Sequence, residues 1–188
     1  MPSPTQTKRE ITKFLMEPEH IGNTAINAGD KVLETVEGTA FGLKITVAEF
    51  VQAVTTADLN FGRKILTFVK AGRLKIEGAR VNLTMVSGGV ATAVNGEVGL
   101  GTALASGAAD TLTGTEENLF AGANAPFTAV AAGATEIIQG TDGDKTIVDA
   151  TAAAPEIFLN LALDGGVAGD FTISGEVELF GHFIQVHD

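Results

Sequence analysis

No cysteine, tryptophan or tyrosine occurs among the 188 residues. Without thiols there can be no disulfide framework, thiolate zinc site, iron–sulfur cluster or cysteine nucleophile. The aromatic set is then 11 Phe, so the flat amphipathic platforms on which sugars usually stack are missing, which argues against a lectin. Basic residues almost vanish after position 80: residues 81–188 carry Lys145 alone against 14 Asp and Glu, whereas residues 1–80 carry 11 Lys and Arg against 9 acids. So acidic a C-terminal part repels phosphate backbones, and no nucleic acid is expected as a partner. Long hydrophobic runs are absent too. The longest uncharged window, Asn118 to Thr135, is mostly Ala, Gly and Asn with Pro126 inside; it is too polar for a bilayer helix, and no membrane partner is expected. Met1-Pro2-Ser3-Pro4 leads into polar residues, so no secretory signal is expected.

What is present suits one compact domain: 45% hydrophobic residues, 19% charged, 23 glycines without a collagen period, and a net charge of −11. Period-two alternation dominates. Phe171, Ile173, Gly175, Val177 and Leu179 alternate with Thr172, Ser174, Glu176 and Glu178, the pattern of a half-buried strand. Beyond them Phe180, His182, Ile184 and Val186 share one face while Phe183 takes the other, which predicts an end covered on both sides and a subunit interface at those four residues. Ile157, Leu159, Leu161 and Leu163 predict a second strand, and Leu43, Ile45 and Val47 a third. Residues 64–86 predict two strands parted at Ala71-Gly72; Leu74 and Ile76 sit on even positions and Val81, Leu83 and Met85 on odd ones, so a bulge or tight bend belongs at Gly78. Between Gly99 and Thr135 the pattern weakens, with one helical turn expected from the capping-box spacing Thr113-Gly114-Thr115-Glu116.

The N-terminus differs. Thr7-Lys8-Arg9-Glu10 has capping-box spacing, and Ile11, Phe14 and Leu15 follow at helical intervals until Glu17-Pro18. These observations predict an all-β, antiparallel sandwich of about eight strands over residues 30–188, preceded by an extended arm, residues 1–29, carrying a short helix. Arg63, Lys64, Lys70, Arg73, Lys75 and Arg80, opposed only by Glu77, form a basic stretch suited either to a solvated strand face or to an acidic partner.

Chemistry-bearing patterns are few. His20, His182 and His187 have no nucleophile or metal set beside them in sequence, and no Gly-x-Ser-x-Gly elbow surrounds Ser3, Ser87, Ser106 or Ser174. Gly99-Leu100-Gly101 lacks the third glycine of a dinucleotide fingerprint and is expected to be loop glycine. Asp142-Gly143-Asp144 with Asp149 hints at calcium, but Thr146 and Ile147 stand where the loop pattern needs a ligand and Gly. Glu116-Glu117 and Glu176/Glu178 are paired carboxylates without an aromatic sugar subsite. No enzyme activity, cofactor or metal is expected, and the residues alone describe a β-rich interaction domain.

The strings Gly72-Arg73-Leu74-Lys75-Ile76-Glu77-Gly78-Ala79, Val98-Gly99-Leu100-Gly101-Thr102 and Asp170-Phe171-Thr172-Ile173-Ser174-Gly175-Glu176-Val177 resemble the jelly-roll decoration, or cement, proteins of tailed bacteriophage capsids. The resemblance covers about residues 40–188. It implies a jelly-roll-like sandwich on the outer surface of an icosahedral virion, with the major capsid protein and its own copies, usually as a homotrimer, for partners. Ile11, Phe14, Leu15, Arg63, Lys64, Arg73, Lys75 and Arg80 are then the candidate capsid-binding residues. A phage tail, baseplate or receptor-binding jelly roll is the alternative. A small cupin-type enzyme, which needs clustered His and carboxylates, is disfavoured by three scattered His.

Overall fold

The computed structural model describes residues 27–37, 39–68, 72–88, 94–130, 133–142, 146–150, 154–165 and 168–185. Ile11, Phe14 and Leu15 of the expected arm helix, and Val186, lie outside them. Ten strands are described: β1 (Lys31–Glu37), β2 (Ala40–Val54), β3 (Asn60–Thr67), β4 (Gly72–Ser87), β5 (Val94–Gly101), β6 (Pro126–Val130), β7 (Thr135–Asp142), β8 (Thr146–Ala150), β9 (Glu156–Asp164) and β10 (Gly169–Gln185). Two 3-10 turns, Gly114–Glu116 and Gly122–Asn124, are the helical elements among these residues. The first is the expected turn: Thr113 N–H donates to Glu116 Oε2 at 3.1 Å.

The strands form two antiparallel sheets. One has six strands in the order β1-β2-β10-β4-β7, with β8 also on β4; the other has four in the order β3-β9-β5-β6. Pairing is nested: β2 with β10, β3 with β9, β4 with β7 and then β8, β5 with β6. A long antiparallel hairpin rolled onto itself gives this arrangement, the jelly roll. The count exceeds eight because β1 adds an edge strand and the partner of β4 is divided into β7 and β8.

The two inner faces supply one core. Phe171, Ile173, Val177, Leu179 and Phe183 of β10 point inward with Leu43, Ile45 and Val47 of β2 and Val81, Leu83 and Met85 of β4; Val98, Leu100, Ile157 and Leu163 close it from the four-stranded sheet. Phe68, Phe120, Phe127 and Phe171 are fully buried, each worth about 1.5–3 kcal/mol of transfer free energy. Phe183 packs on Phe41 with ring centroids 5.4 Å apart.

Two bulges keep the apolar sets facing inward. Phe180 pairs with Gly78 and Gly181 with Ile76, leaving Glu77 as the extra residue on β4; this is the register slip expected at Gly78. Ile173 pairs with Phe50 and Gly175 with Val47, so Ala48 and Glu49 oppose Ser174 alone. Gly175 there has φ +140°, and a Cβ on it would lie 2.3 Å from the Asn82 carbonyl oxygen, so no other residue fits without strain.

Two expectations change. Gly99 and Gly101 are strand residues of β5, not loop glycine; Cβ atoms on them would meet Leu112 Cδ1 at 2.6 Å and Thr115 O at 2.2 Å, because residues 102–125 press directly on that face. The strand enclosed on both sides is β9, whose outward Asn160 and Ala162 are buried beneath that excursion. At the end of β10 the described residues enclose the inward side and leave on the other the half-buried Phe180 and His182 and the 49% exposed Ile184, the side on which a neighbouring subunit is expected.

Candidate interaction face

Alternation along β10 and its neighbours sends the second side-chain set out of the sandwich, onto the outer face of the six-stranded sheet. Cross-strand pairs tie it together. Lys44 Nζ lies 2.8 Å from Glu176 Oε2, and Arg80 3.7 Å from Glu178 Oε2. The Arg80 guanidinium also sits 5.7 Å from the Phe180 ring centroid. Glu77, turned out by the bulge, receives Lys75 Nζ at 3.4 Å and His182 Nδ1 at 3.2 Å. Partial desolvation pushes Glu77 upward, but hydrogen bonds from Lys75 and His182 outweigh it and hold the carboxyl below its usual range. The hydrogen bond to Glu176 raises Lys44. Beside these pairs Gln139 Nε2 donates to Asn82 Oδ1 at 2.9 Å, on the wall of a shallow polar depression of about 480 Å³ that Arg80, Thr141, Glu176 and Glu178 also line.

Two groups that look separate in sequence therefore meet. Lys75 pairs in register with His182 on one side and Ile147 on the other, so the candidate capsid-binding Lys75 and Arg80 interleave with the candidate subunit-interface Phe180 and His182. Arg73 joins them on β4, and Ile184 lies beyond on β10. Ile147, 60% exposed, belongs to the same patch; the alternation Thr146-Ile147-Val148 could have flagged it, but three residues after Lys145 are too short a pattern to read alone.

Arg63 and Lys64 are elsewhere, on β3 of the other sheet. Arg63 stands at a corner of the sandwich, with its side chain and that of Asp30 13% and 0% exposed: it contacts both oxygens of Asp30, donates to Ala48 O at 3.3 Å and covers the Phe50 ring at 4.2 Å. Asp30 in turn accepts from Ala48 N–H at 2.8 Å. That arrangement ties the approach to β1, the β2 bulge and β3 together. Lys64 meets Glu156 at 2.8 Å on the neighbouring strand. The basic stretch is thus divided by the passage of the chain from one sheet to the other.

The four-stranded sheet hides polar anchors that local pattern did not reveal. Asn160 accepts from Ala105 N–H at 3.1 Å and donates to Ala103 O at 2.9 Å and Glu116 O at 2.6 Å. Glu97 accepts from Leu112 N–H at 2.7 Å, and Glu117 from Gly122 N–H at 2.7 Å. Asp142, the first acid of the calcium-like string, accepts from Ala121 N–H at 2.8 Å; Gly143 and Asp144 lie outside the described residues. No group of three His, Asp or Glu placed to hold a metal occurs among the described residues.

No protein-family model matches the chain, and no curated protein does. Solved structures give low-level likenesses. A chain in the structure of infectious bursal disease virus, Gx strain, is 14% identical with a TM-score of 0.35, over 86% of this chain and 38% of that one. A chain of the cyanophage Pam1 capsid asymmetric unit is 13% identical with a TM-score of 0.38, over 85% of this chain and 98% of that one. The two-module xylanase 10B of Clostridium thermocellum, solved with xylohexaose, is 15% identical with a TM-score of 0.31, over 88% of this chain and 27% of that one. Two of the three come from viral particles. No helix of the described residues is long and apolar enough to cross a membrane.

Proposed function

We propose that this chain is a non-enzymatic structural protein of a virion, which binds the outside of an icosahedral phage capsid and stabilises the shell, the major capsid protein and further copies of itself being its partners. The observation that carries this reading is the polarity of the molecule. On the outer face of the six-stranded sheet the register sets Lys31, Lys44, Arg73, Lys75 and Arg80 among Glu37, Glu49, Glu77, Asp149, Asp170, Glu176 and Glu178, five cations against seven acids, although the whole chain has 12 against 23. Strongly acidic proteins repel one another, so a face enriched in cations is where such a molecule can approach a neighbour with less penalty. This one also offers Ile147, Ile184 and Phe180 on a stiff sheet whose side chains are held in pairs.

The reading assigns that face, centred on Arg73, Lys75, Arg80, Phe180, His182 and Ile184, to contacts with the shell and between subunits of a homotrimer, with Ile11, Phe14 and Leu15 of the N-terminal segment adding grip. Arg63 braces the corner of the sandwich beside it, and Lys64 lies at the surface of the other sheet, outside that face. The test is sedimentation of the purified chain with empty phage shells stripped of accessory proteins. It is expected to pellet with shells, saturably, and to show a trimer mass by light scattering. Failure to pellet at any protein concentration overturns the reading.

A further inference from the structure

Strand β1 is the outermost strand of the six-stranded sheet, and among the described residues β2 alone pairs with it. An open edge is a template for another strand, and folded proteins commonly guard it with an inward-pointing charge. β1 has one. Glu34 pairs with Leu43 and stands on the core side of the sheet, while Leu33 on the other side is 66% exposed. The inner face of β2 around Glu34, formed by Phe41, Leu43 and Ile45, carries no charge; Lys31, Lys44 and Glu37 lie on the opposite face.

The sequence Lys31-Val32-Leu33-Glu34-Thr35-Val36-Glu37 is self-complementary when read antiparallel about its centre. Lys31 then falls opposite Glu37 of a second copy, twice over, Val32 opposite Val36, Leu33 opposite Thr35, and Glu34 opposite Glu34. Opposite charges at both ends favour the register, and the like charges at the centre oppose it. We propose that β1 is a proton-gated docking edge for a second copy of this chain: two β1 strands pair antiparallel about a two-fold axis through Glu34, joining two six-stranded sheets into one. One shared proton turns the central repulsion into an acid–carboxylate hydrogen bond. Burial already pushes the Glu34 carboxyl up to about 7, so that proton is available near neutrality. This inference stands on the edge itself and is independent of the capsid reading.

Sedimentation velocity of the full chain at about pH 8.5 and about pH 6 tests it, the association constant rising roughly tenfold per pH unit while one proton is taken up per pair. The species present at the higher pH is expected to double in mass at the lower. Glu34→Gln is expected to be doubled at both. Lys31→Glu, which sets like charges opposite each other at both ends, is expected to stay undoubled at the lower pH, and the exchange Lys31→Glu with Glu37→Lys to restore doubling. A mass that is constant with pH in both the wild type and Glu34→Gln overturns the proposal, as does acid doubling that survives Lys31→Glu.

Discussion

The outer face of the four-stranded sheet is roofed by residues 102–125, whereas the outer face of the six-stranded sheet bears paired charges and exposed isoleucines with no roof among the described residues. Both are faces of antiparallel strands in one jelly roll, so topology does not distinguish them. Side-chain size and placement do. Under the excursion β5 offers Gly99 and Gly101, which let backbone approach backbone, and β9 offers Asn160, which binds the arriving peptide groups. On the other face β10 and β4 offer Glu176, Glu178, Arg80 and Lys75, which keep water or a partner as neighbour. One sheet spends its outer surface on its own chain, and the other leaves it uncovered among the described residues.

The largest effect is expected from breaking the roof at Asn160. Asn160→Leu leaves Ala103 O, Glu116 O and Ala105 N–H facing an apolar side chain, and each stranded buried group costs about 1–3 kcal/mol. Denaturant unfolding should show a loss of about 3–5 kcal/mol, with the Ala105 amide losing exchange protection first. Equal stability of variant and wild type would show that the excursion is held by its apolar contacts alone.

Glycines give the sharpest contrast between the faces. In Gly101→Ala the new methyl lies 2.2 Å from Thr115 O and 2.3 Å from the Glu116 carbonyl, so the excursion must lift, at about 1–3 kcal/mol. In Gly42→Ala on β2 nothing lies within 4 Å of the methyl; stability is expected to hold or rise by up to about 1 kcal/mol, because alanine lowers the entropy of the unfolded chain. Thermal melts of the two variants side by side check the difference in sign.

The legibility of the sequence followed the same division. The alternating faces of β10 could be read from the sequence, though not the bulge opposite Ser174, and the Glu77–Gly78 bulge from the parity change between Ile76 and Val81, because a sheet with one wet face writes its pattern locally. The roof could not be read. Asn160 meets Ala103, Ala105 and Glu116 across 57, 55 and 44 positions of sequence, and no window of neighbouring residues contains such a contact. Gly99 and Gly101 look the same whether glycine serves a turn or the close approach of another backbone. Of the candidate site, the residue types were visible, but the division of Arg63 and Lys64 from Lys75 and Arg80 depended on the chain changing sheets between β3 and β4.

Glu34 supplies a smaller, pH-dependent effect at the rim of the six-stranded sheet. Burial pushes its carboxyl up to about 7 from an ordinary 4.5, so the native state binds a proton more tightly than the unfolded chain does. Stability from this group therefore falls as pH rises from 4.5 to 7 and stays low above. Glu34→Gln should gain about 1–2 kcal/mol at alkaline pH, the shift being discounted for partial exposure, and nothing at the acid end. Urea unfolding of dilute protein at both ends of the range measures it, and a gain that is the same at both would mean burial does not act on the charge.

The smallest effect on folding, and the one that separates the two faces most cleanly, is expected from the outer charges. Lys44 and Glu176 are each 41% exposed despite their 2.8 Å contact, and Arg80 is 60% exposed beside Glu178. Water and salt screen such pairs, and fixing two long side chains offsets most of what attraction remains. Lys44→Ala should therefore melt with the wild type. Charge reversal at Arg73 and Lys75 should also leave a folded sandwich, since both project from the sheet and no core atom moves. Binding to shells is a different quantity: reversal adds negative charge to a face that holds five of the 12 Lys and Arg of an acidic molecule, so affinity for an acidic shell should drop, more at low salt than at high. Deleting residues 1–20 should lower it further, through lost contact area, with little dependence on salt. A reversal variant that binds shells as tightly as the wild type at every salt concentration would remove the six-stranded face from the docking surface, leaving the N-terminal segment as the remaining candidate.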